Sequence, residues 1–223
     1  LAAPYLASAV ALLWMVHPLQ SECINYISQR SESIMGFNYF MTFYCLLRGT
    51  ETNRVGWYTA AVFVCSLGMM SKEVMATVPL LALLFDRTFV AGGLGLALRR
   101  RWGCYLGLAF GWLVLARQLW SEPHIGMIGF AALSPWEYAL NQCSMLAKYF
   151  TLLFWPDRLL LDYGPPVPLS LAEVAPQATL VIALLGTAIA ALRFWPRAGF
   201  LGAWCFVILA PTSSFLPILT EVG

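Results

Sequence analysis

The chain alternates between long apolar stretches and short polar interruptions. Residues 1–16, 55–70, 74–85, 179–192 and 200–210 carry no charged side chain, whereas a helix in a soluble core normally keeps a polar stripe. Such segments predict helices surrounded by lipid or by other apolar helices. Several are shorter than the roughly 20 residues of a perpendicular span, so their polar ends extend into an interface or lie against protein. The pattern predicts an all-α fold, a polytopic transmembrane helix bundle of about seven spans near 1–16, 33–47, 55–71, 74–86, 102–116, 176–193 and 198–211.

An eighth segment, 135–155, has a different pattern. Ser134 and Glu137 form a capping box around Pro135 at the first helical position, and Trp155-Pro156 ends the helix. Glu137, Asn141, Ser144, Lys148 and Thr151 recur at spacings of four, three, four and three, one narrow face. This reads as an amphipathic helix on the outer surface. Trp136 and Trp155 could instead be aromatic belts of a true span, but that choice places Arg193 and Arg197 outside.

Charge sets the orientation. Threading the spans alternately puts Arg48, Arg54, Arg87, Arg99, Arg100, Arg101, Arg193 and Arg197 on one side, eight of the thirteen basic residues, and the positive-inside bias makes that side cytoplasmic. Nine of the eleven acidic residues then lie outside, with Glu51 and Asp86 the two inside. Composition agrees: 60% of residues are hydrophobic and 11% charged, against roughly 25% charged in soluble domains. The mean hydropathy is +0.73. Residues 1–223 are read as part of a single membrane domain, with no signal-peptide pattern before the first apolar run.

The six cysteines, at 23, 45, 65, 104, 143 and 205, lack metal or redox spacing and read as small buried hydrophobes, with a Cys23–Cys143 disulfide left open. His17 and His124 cannot make a metal site alone, and no metal is expected. No dinucleotide, phosphate-loop or hydrolase signature occurs.

Candidate chemistry sits in the external loops. The first, from His17 through Glu22 to Arg30 and Glu32, places carboxylates, a guanidinium and an imidazole at a membrane surface, where plain interfacial anchoring would also explain them. Ser71-Lys72-Glu73 interrupts two apolar runs with almost no loop between. Charges so close to hydrocarbon need a partner, and Lys72 can meet Glu73 or an anionic head group. Trp155-Pro156-Asp157-Arg158 runs into Leu161-Asp162-Tyr163-Gly164, a rigid aromatic turn able to contact sugar or phosphate. Residues 210–218 break the last span between two prolines.

Four ordered stretches, HPLQSECINYISQRSESIMG, SKEVMATVPLLALLFDRTF, YFTLLFWPDRLLLDYGPP and FLGAWCFVILAPTSSFLPILTEV, together resemble the membrane part of bacterial tetratricopeptide-repeat glycosyltransferases. They are more distantly similar to the animal transmembrane and tetratricopeptide-repeat O-mannosyltransferases. The resemblance covers nearly the whole chain. It implies a C-type glycosyltransferase that moves a hexose, mannose or similar, from a polyprenyl-phosphate donor to an acceptor hydroxyl on a protein or glycan, in a bacterial inner membrane with acidic loops facing the periplasm. A base takes the acceptor proton and cations stabilise the departing phosphate. Lys72, Arg30 and Arg158 are the phosphate candidates. His17, Glu22, Glu32, Glu73, Asp162, Tyr163 and Glu221 are the sugar- or acceptor-positioning candidates. The resemblance places the main catalytic acid upstream of Leu1 and a repeat domain downstream of Gly223, so the domain is expected to be truncated at both ends and inactive alone. Membrane lipids are expected partners and nucleic acid is not. Two other classes fit a multi-pass chain: a transporter or flippase of lipid-linked substrates, and a non-catalytic anchor for a repeat domain. Inverted repeats and mid-span charges would mark the former, and the sequence shows neither.

Overall fold

The computed structural model describes residues 2–21, 23, 29–121, 134–157, 159 and 169–211. All regular structure in them is helical. Eight α-helices follow in order: α1 (Ala2–Val16), α2 (Arg30–Thr52), α3 (Val55–Met69), α4 (Val78–Phe85), α5 (Leu94–Ser121), α6 (Pro135–Phe154), α7 (Leu171–Phe194) and α8 (Pro196–Leu209). A 3-10 turn, Glu73–Thr77, leads into α4, and a π-helical segment, Asp86–Ala91, continues from it until Gly92 turns the chain at φ 73°.

Helices α2 and α3 form a tight antiparallel hairpin because Asn53 adopts the left-handed conformation, φ 52°, and returns its N–H to Gly49 O at 2.9 Å. Their shared core holds Tyr39, Phe43, Leu46, Ala61, Cys65 and Met69, extended by Met75, Val78 and Leu81 and by Leu108 of α5. Helix α8 joins through aromatic rings, with Trp204 4.7 Å from Phe43 and Phe200 5.2 Å from Phe89 between centroids. Helices α7 and α8 pair across Trp195-Pro196, and α6 packs on α7.

The α7–α8 hairpin depends on one glycine. A Cβ on Gly199 would lie 2.2 Å from Leu192 N and 2.5 Å from Ala191 C, both backbone atoms that cannot step aside. Gly199→Ala is expected to destabilise the chain by about 1–3 kcal/mol, read as a lowered melting temperature in detergent. Gly186→Ala, where nothing lies within 4 Å, should be neutral or slightly stabilising.

Among the described residues, two helical stretches are long and apolar enough to cross a membrane, Glu73–Ala91 with 19 residues and Leu171–Phe194 with 24. The other expected crossings differ for physical reasons. Helices α1, α3 and α8 are apolar but short, and α2 and α5 are long but carry charge, including Arg99, Arg100 and Arg101 within α5. Large apolar side chains nevertheless point outward from the bundle, among them Phe63, Leu106, Phe110 and Ile182.

Two helices begin well before the sequence reading, and α2 and the Glu73–Ala91 stretch also run past their expected ends. Helix α5 begins at Leu94 rather than near 102, with non-helical backbone at Arg101, φ −132° and ψ 27°, that kinks it. Helix α7 begins at Leu171 rather than at Pro176, because Ser170 N–H donates to Glu173 Oε2 at 2.7 Å and starts the helix a turn early. None of the six cysteines forms a disulfide, Cys23 and Cys143 included.

Helix α6 has its expected capping box: Ser134 Oγ accepts from Glu137 N at 3.3 Å, and Ser134 N–H donates to Glu137 Oε2 at 2.8 Å. Its polar stripe is not wholly outward. Asn141 is buried and donates to Glu137 O at 2.8 Å, while Lys148 and Thr151 are exposed. The Ser134 hydroxyl, with its backbone N–H, holds the Glu137 carboxyl below the usual carboxylate range. A depressed folded-state value contributes stability that is present above the unfolded value of about 4.3 and is lost as pH falls through the folded one. Amide exchange at residues 136–138, corrected for intrinsic rate, should therefore accelerate below about pH 4, and Ser134→Ala should flatten that dependence.

Candidate functional site

The site forms where the α3–α4 connection meets the first turn of α2. Helix α3 stops because Ser71 N and Lys72 N both turn back to Gly68 O, at 2.9 and 3.3 Å. Lys72 itself is extended, φ −154° and ψ 147°, which throws its side chain clear of both helical segments. Its Nζ donates to Glu32 Oε1, forty residues earlier in the chain. The ammonium side chain is 14% exposed and the carboxylate 29%, so water or a ligand can reach the pair without unfolding anything.

The turn beneath Lys72 is braced from two sides. Trp112 Nε1–H of α5 donates to Ala76 O at 2.9 Å. Thr77 Oγ1 spends its proton on Val74 O at 2.8 Å, so the 2.9 Å contact between Thr77 Oγ1 and Tyr39 OH has the tyrosine as donor. These bonds fix the 3-10 turn against α2 and α5 and so fix where Lys72 begins.

Glu32 also marks the head of an apolar groove of about 700 Å³ between α1 and α2. Trp14 and Met15 form one wall, Phe37, Phe40 and Tyr44 the other, with Gly36 opening space between them. From Glu32 to Tyr44 the groove follows α2 for twelve residues, about 18 Å at helical rise, comparable with one leaflet of a bilayer core of about 30 Å. A cation beside the polar head of an apolar slot of this length suits an amphiphile with an anionic head and a hydrocarbon tail.

The structure thus brings Lys72 and Glu32 together, with Glu32 one of the groups that hold the ammonium. Glu73 opens the 3-10 turn beside Lys72 and is half-buried. Arg30 begins α2, two residues before Glu32, and is exposed. His17 is engaged structurally. Its Nδ1 accepts from Leu19 N at 3.3 Å and its Nε2–H donates to Leu153 O at 3.1 Å, which is the neutral ring tying the end of α1 to the end of α6. Glu22, Arg158, Asp162, Tyr163, Glu221 and the proline-flanked segment beyond Pro211 lie outside the described residues. Among the described residues no group of three or more His, Cys, Asp or Glu could hold a metal.

Sequence reasoning missed a second charged cluster at the opposite end of the helices. Asp86, 3% exposed, begins the π-helical segment. Arg101 Nη1 donates to both its oxygens, at 2.6 and 2.7 Å, and Tyr105 O–H donates to Oδ2 at 2.6 Å. Arg101 Nε–H also reaches Tyr58 OH at 3.2 Å. The carboxylate explains the kink, since Arg101 leaves helical geometry at the residue that satisfies it. A signal was present in the sequence: Asp86 is the acid that closes an otherwise uncharged run on the arginine-rich side.

No protein-family model, curated protein or solved structure matches the chain.

Proposed function

We propose that the chain is the membrane part of a glycosyltransferase that moves a hexose, mannose or a near relative, from a polyprenyl-phosphate donor to an acceptor hydroxyl of a protein Ser/Thr or a glycan. The observation that carries this reading is the Lys72–Glu32 pair at the head of the α1–α2 groove. In this reading the bundle is a multi-pass membrane domain of the C-type glycosyltransferase kind, with about seven crossings and Lys72 on the external face. The outward Phe63, Phe110 and Ile182 support lipid surroundings, because apolar surface that extensive is unfavourable in water.

The chemistry follows from the pair. A donor phosphate entering beside Lys72 competes with Glu32 for the ammonium, and the displaced carboxylate becomes free to accept hydrogen bonds from sugar hydroxyls. The isoprenoid tail lies along Phe37, Phe40 and Tyr44. As the acceptor oxygen attacks the anomeric carbon, the bond from that carbon to the phosphate oxygen breaks, and the leaving phosphate gains charge that Lys72 stabilises more than it did the bound donor. The acceptor proton passes to a general base as the bond forms. Arg30 stands near enough in sequence to add a second cation.

The test is sugar transfer by the intact protein in detergent from a radiolabelled polyprenyl-phosphate hexose to a serine- and threonine-containing acceptor. Time-dependent appearance of label on the acceptor is the expected result. A folded protein that transfers label from no lipid-linked hexose would reject the reading.

A further inference from the structure

The arginine-bearing end of the bundle has a charge balance that the groove chemistry does not use. The contacts assemble this end from several elements. Arg101 joins the start of α5 to Asp86 and to Tyr58 at the start of α3, and the Phe89–Phe200 ring contact joins the π-helical segment to the start of α8. Arg193 and Arg197 flank the α7–α8 turn. Both carboxylates at this end are already engaged: Asp86 by Arg101, and Glu51 by Arg48 at 2.9 Å. Of the eight arginines, removing those two leaves six without a carboxylate partner among the described residues: Arg54, Arg87, Arg99, Arg100, Arg193 and Arg197.

Five of these are exposed, Arg87 being half-buried, and four of the five, Arg99, Arg100, Arg193 and Arg197, have large apolar side chains close by in sequence. Leu96 and Leu98 precede the first pair and Trp102 follows it, 65% exposed; Phe194 and Trp195 lie inside the second pair, 71% and 73% exposed. The kink at Arg101 separates the two turns that carry Arg99 and Arg100 from the rest of α5. Guanidinium groups among exposed leucine and tryptophan suit a surface that is anionic at one depth and hydrocarbon a few ångströms deeper. A nucleic acid or a soluble phosphate would match the charge but leave those apolar side chains in water.

We infer that this end is a docking surface for the head groups of anionic phospholipids, held by Arg99 and Arg100 on one side and Arg193 and Arg197 on the other. The inference rests on the membrane placement proposed above and not on sugar transfer. It assigns the two ends of the bundle different lipids: the donor phosphate at Lys72, and the bulk anionic lipid of the other leaflet at the arginines.

The test uses the intact protein in proteoliposomes, with spin-labelled phosphatidylglycerol and phosphatidylcholine as probes of the motionally restricted lipid shell. Phosphatidylglycerol should be preferred, and the preference should fall as salt is raised. Each arginine near the surface supplies about a fivefold factor, so Arg99→Gln/Arg100→Gln and Arg193→Gln/Arg197→Gln should each lower the preference markedly while helical circular dichroism is unchanged. Lys72→Gln should leave it intact. Equal association of the two lipids with wild type, or a preference that survives all four arginine substitutions, overturns the inference while leaving the membrane placement standing. Release of the protein from the vesicles by alkaline carbonate overturns both. A preference lost on Lys72→Gln and kept in the arginine variants assigns the anionic lipid to the groove and overturns the inference.

Discussion

Replacing Asp86 by Ala should destabilise the bundle by about 3–5 kcal/mol, the usual consequence of leaving one member of a buried ion pair without the other. For a chain of this size that is a fall of roughly 6–20 °C in melting temperature. The carboxylate satisfies Arg101 and Tyr105 together and stands where α4 passes into the π-helical segment. Without it the Arg101 guanidinium, whose side chain is 13% exposed, keeps Tyr58 as its remaining described contact. Arg101 would then either carry an uncompensated charge into the protein or swing out and undo the kink within α5. The double substitution Asp86→Ala/Arg101→Met should recover most of the loss, since an apolar side chain of similar length needs no partner. Detergent unfolding followed by circular dichroism measures both variants. A single variant within 1 kcal/mol of wild type would mean that the pair contributes nothing to the fold.

Lys72→Ala should have the opposite profile. Glu32, the group left behind, is 29% exposed, so water can replace the ammonium and the loss should cost stability no more than about 1 kcal/mol. Transfer from a polyprenyl-phosphate hexose should nevertheless fall. A hydrogen bond to a charged group is worth about 1.5–3 kcal/mol, which corresponds to a loss of about 10- to 150-fold in kcat/KM when it acts on the transition state. Lys72→Arg should restore part of the rate, because the charge returns with a different reach. Glu32→Gln should keep the fold and raise KM more than it lowers kcat if the carboxylate mainly holds sugar hydroxyls. Full turnover in Lys72→Ala would remove the ammonium from the reaction.

The contrast between these two pairs shows why part of the site was legible in the sequence and part was not. Lys72 could be found because an ion inside a break between uncharged runs has to be explained by something. Its partner could not be found: Glu32 and Glu73 are both carboxylates near apolar segments, and the choice between them belongs to the α2–α3 hairpin, which sets the first turn of α2 beside the α3–α4 turn. Asp86 and Arg101 looked like flanking charges because a linear pattern shows which side of a span a residue belongs to, and not that two of them meet. The groove was invisible for a similar reason, since Trp14, Phe37 and Phe40 read equally well as lipid-facing or as lining.

By itself the sequence determined the helical fold, the capping box at Ser134 and Glu137, and the segregation of arginine from acid along the chain. Each of these depends on neighbours within a turn or two, where periodicity and backbone hydrogen bonding act. Tertiary structure decided the kink of α5, the meeting of Lys72 with Glu32, the burial of Asn141 and the Asp86–Arg101 cluster. The cluster and the Lys72 pair join groups 15 and 40 residues apart, and the burial of the carboxylate is what separates them: Asp86 is 5% exposed in its pair and Glu32 29% in the other.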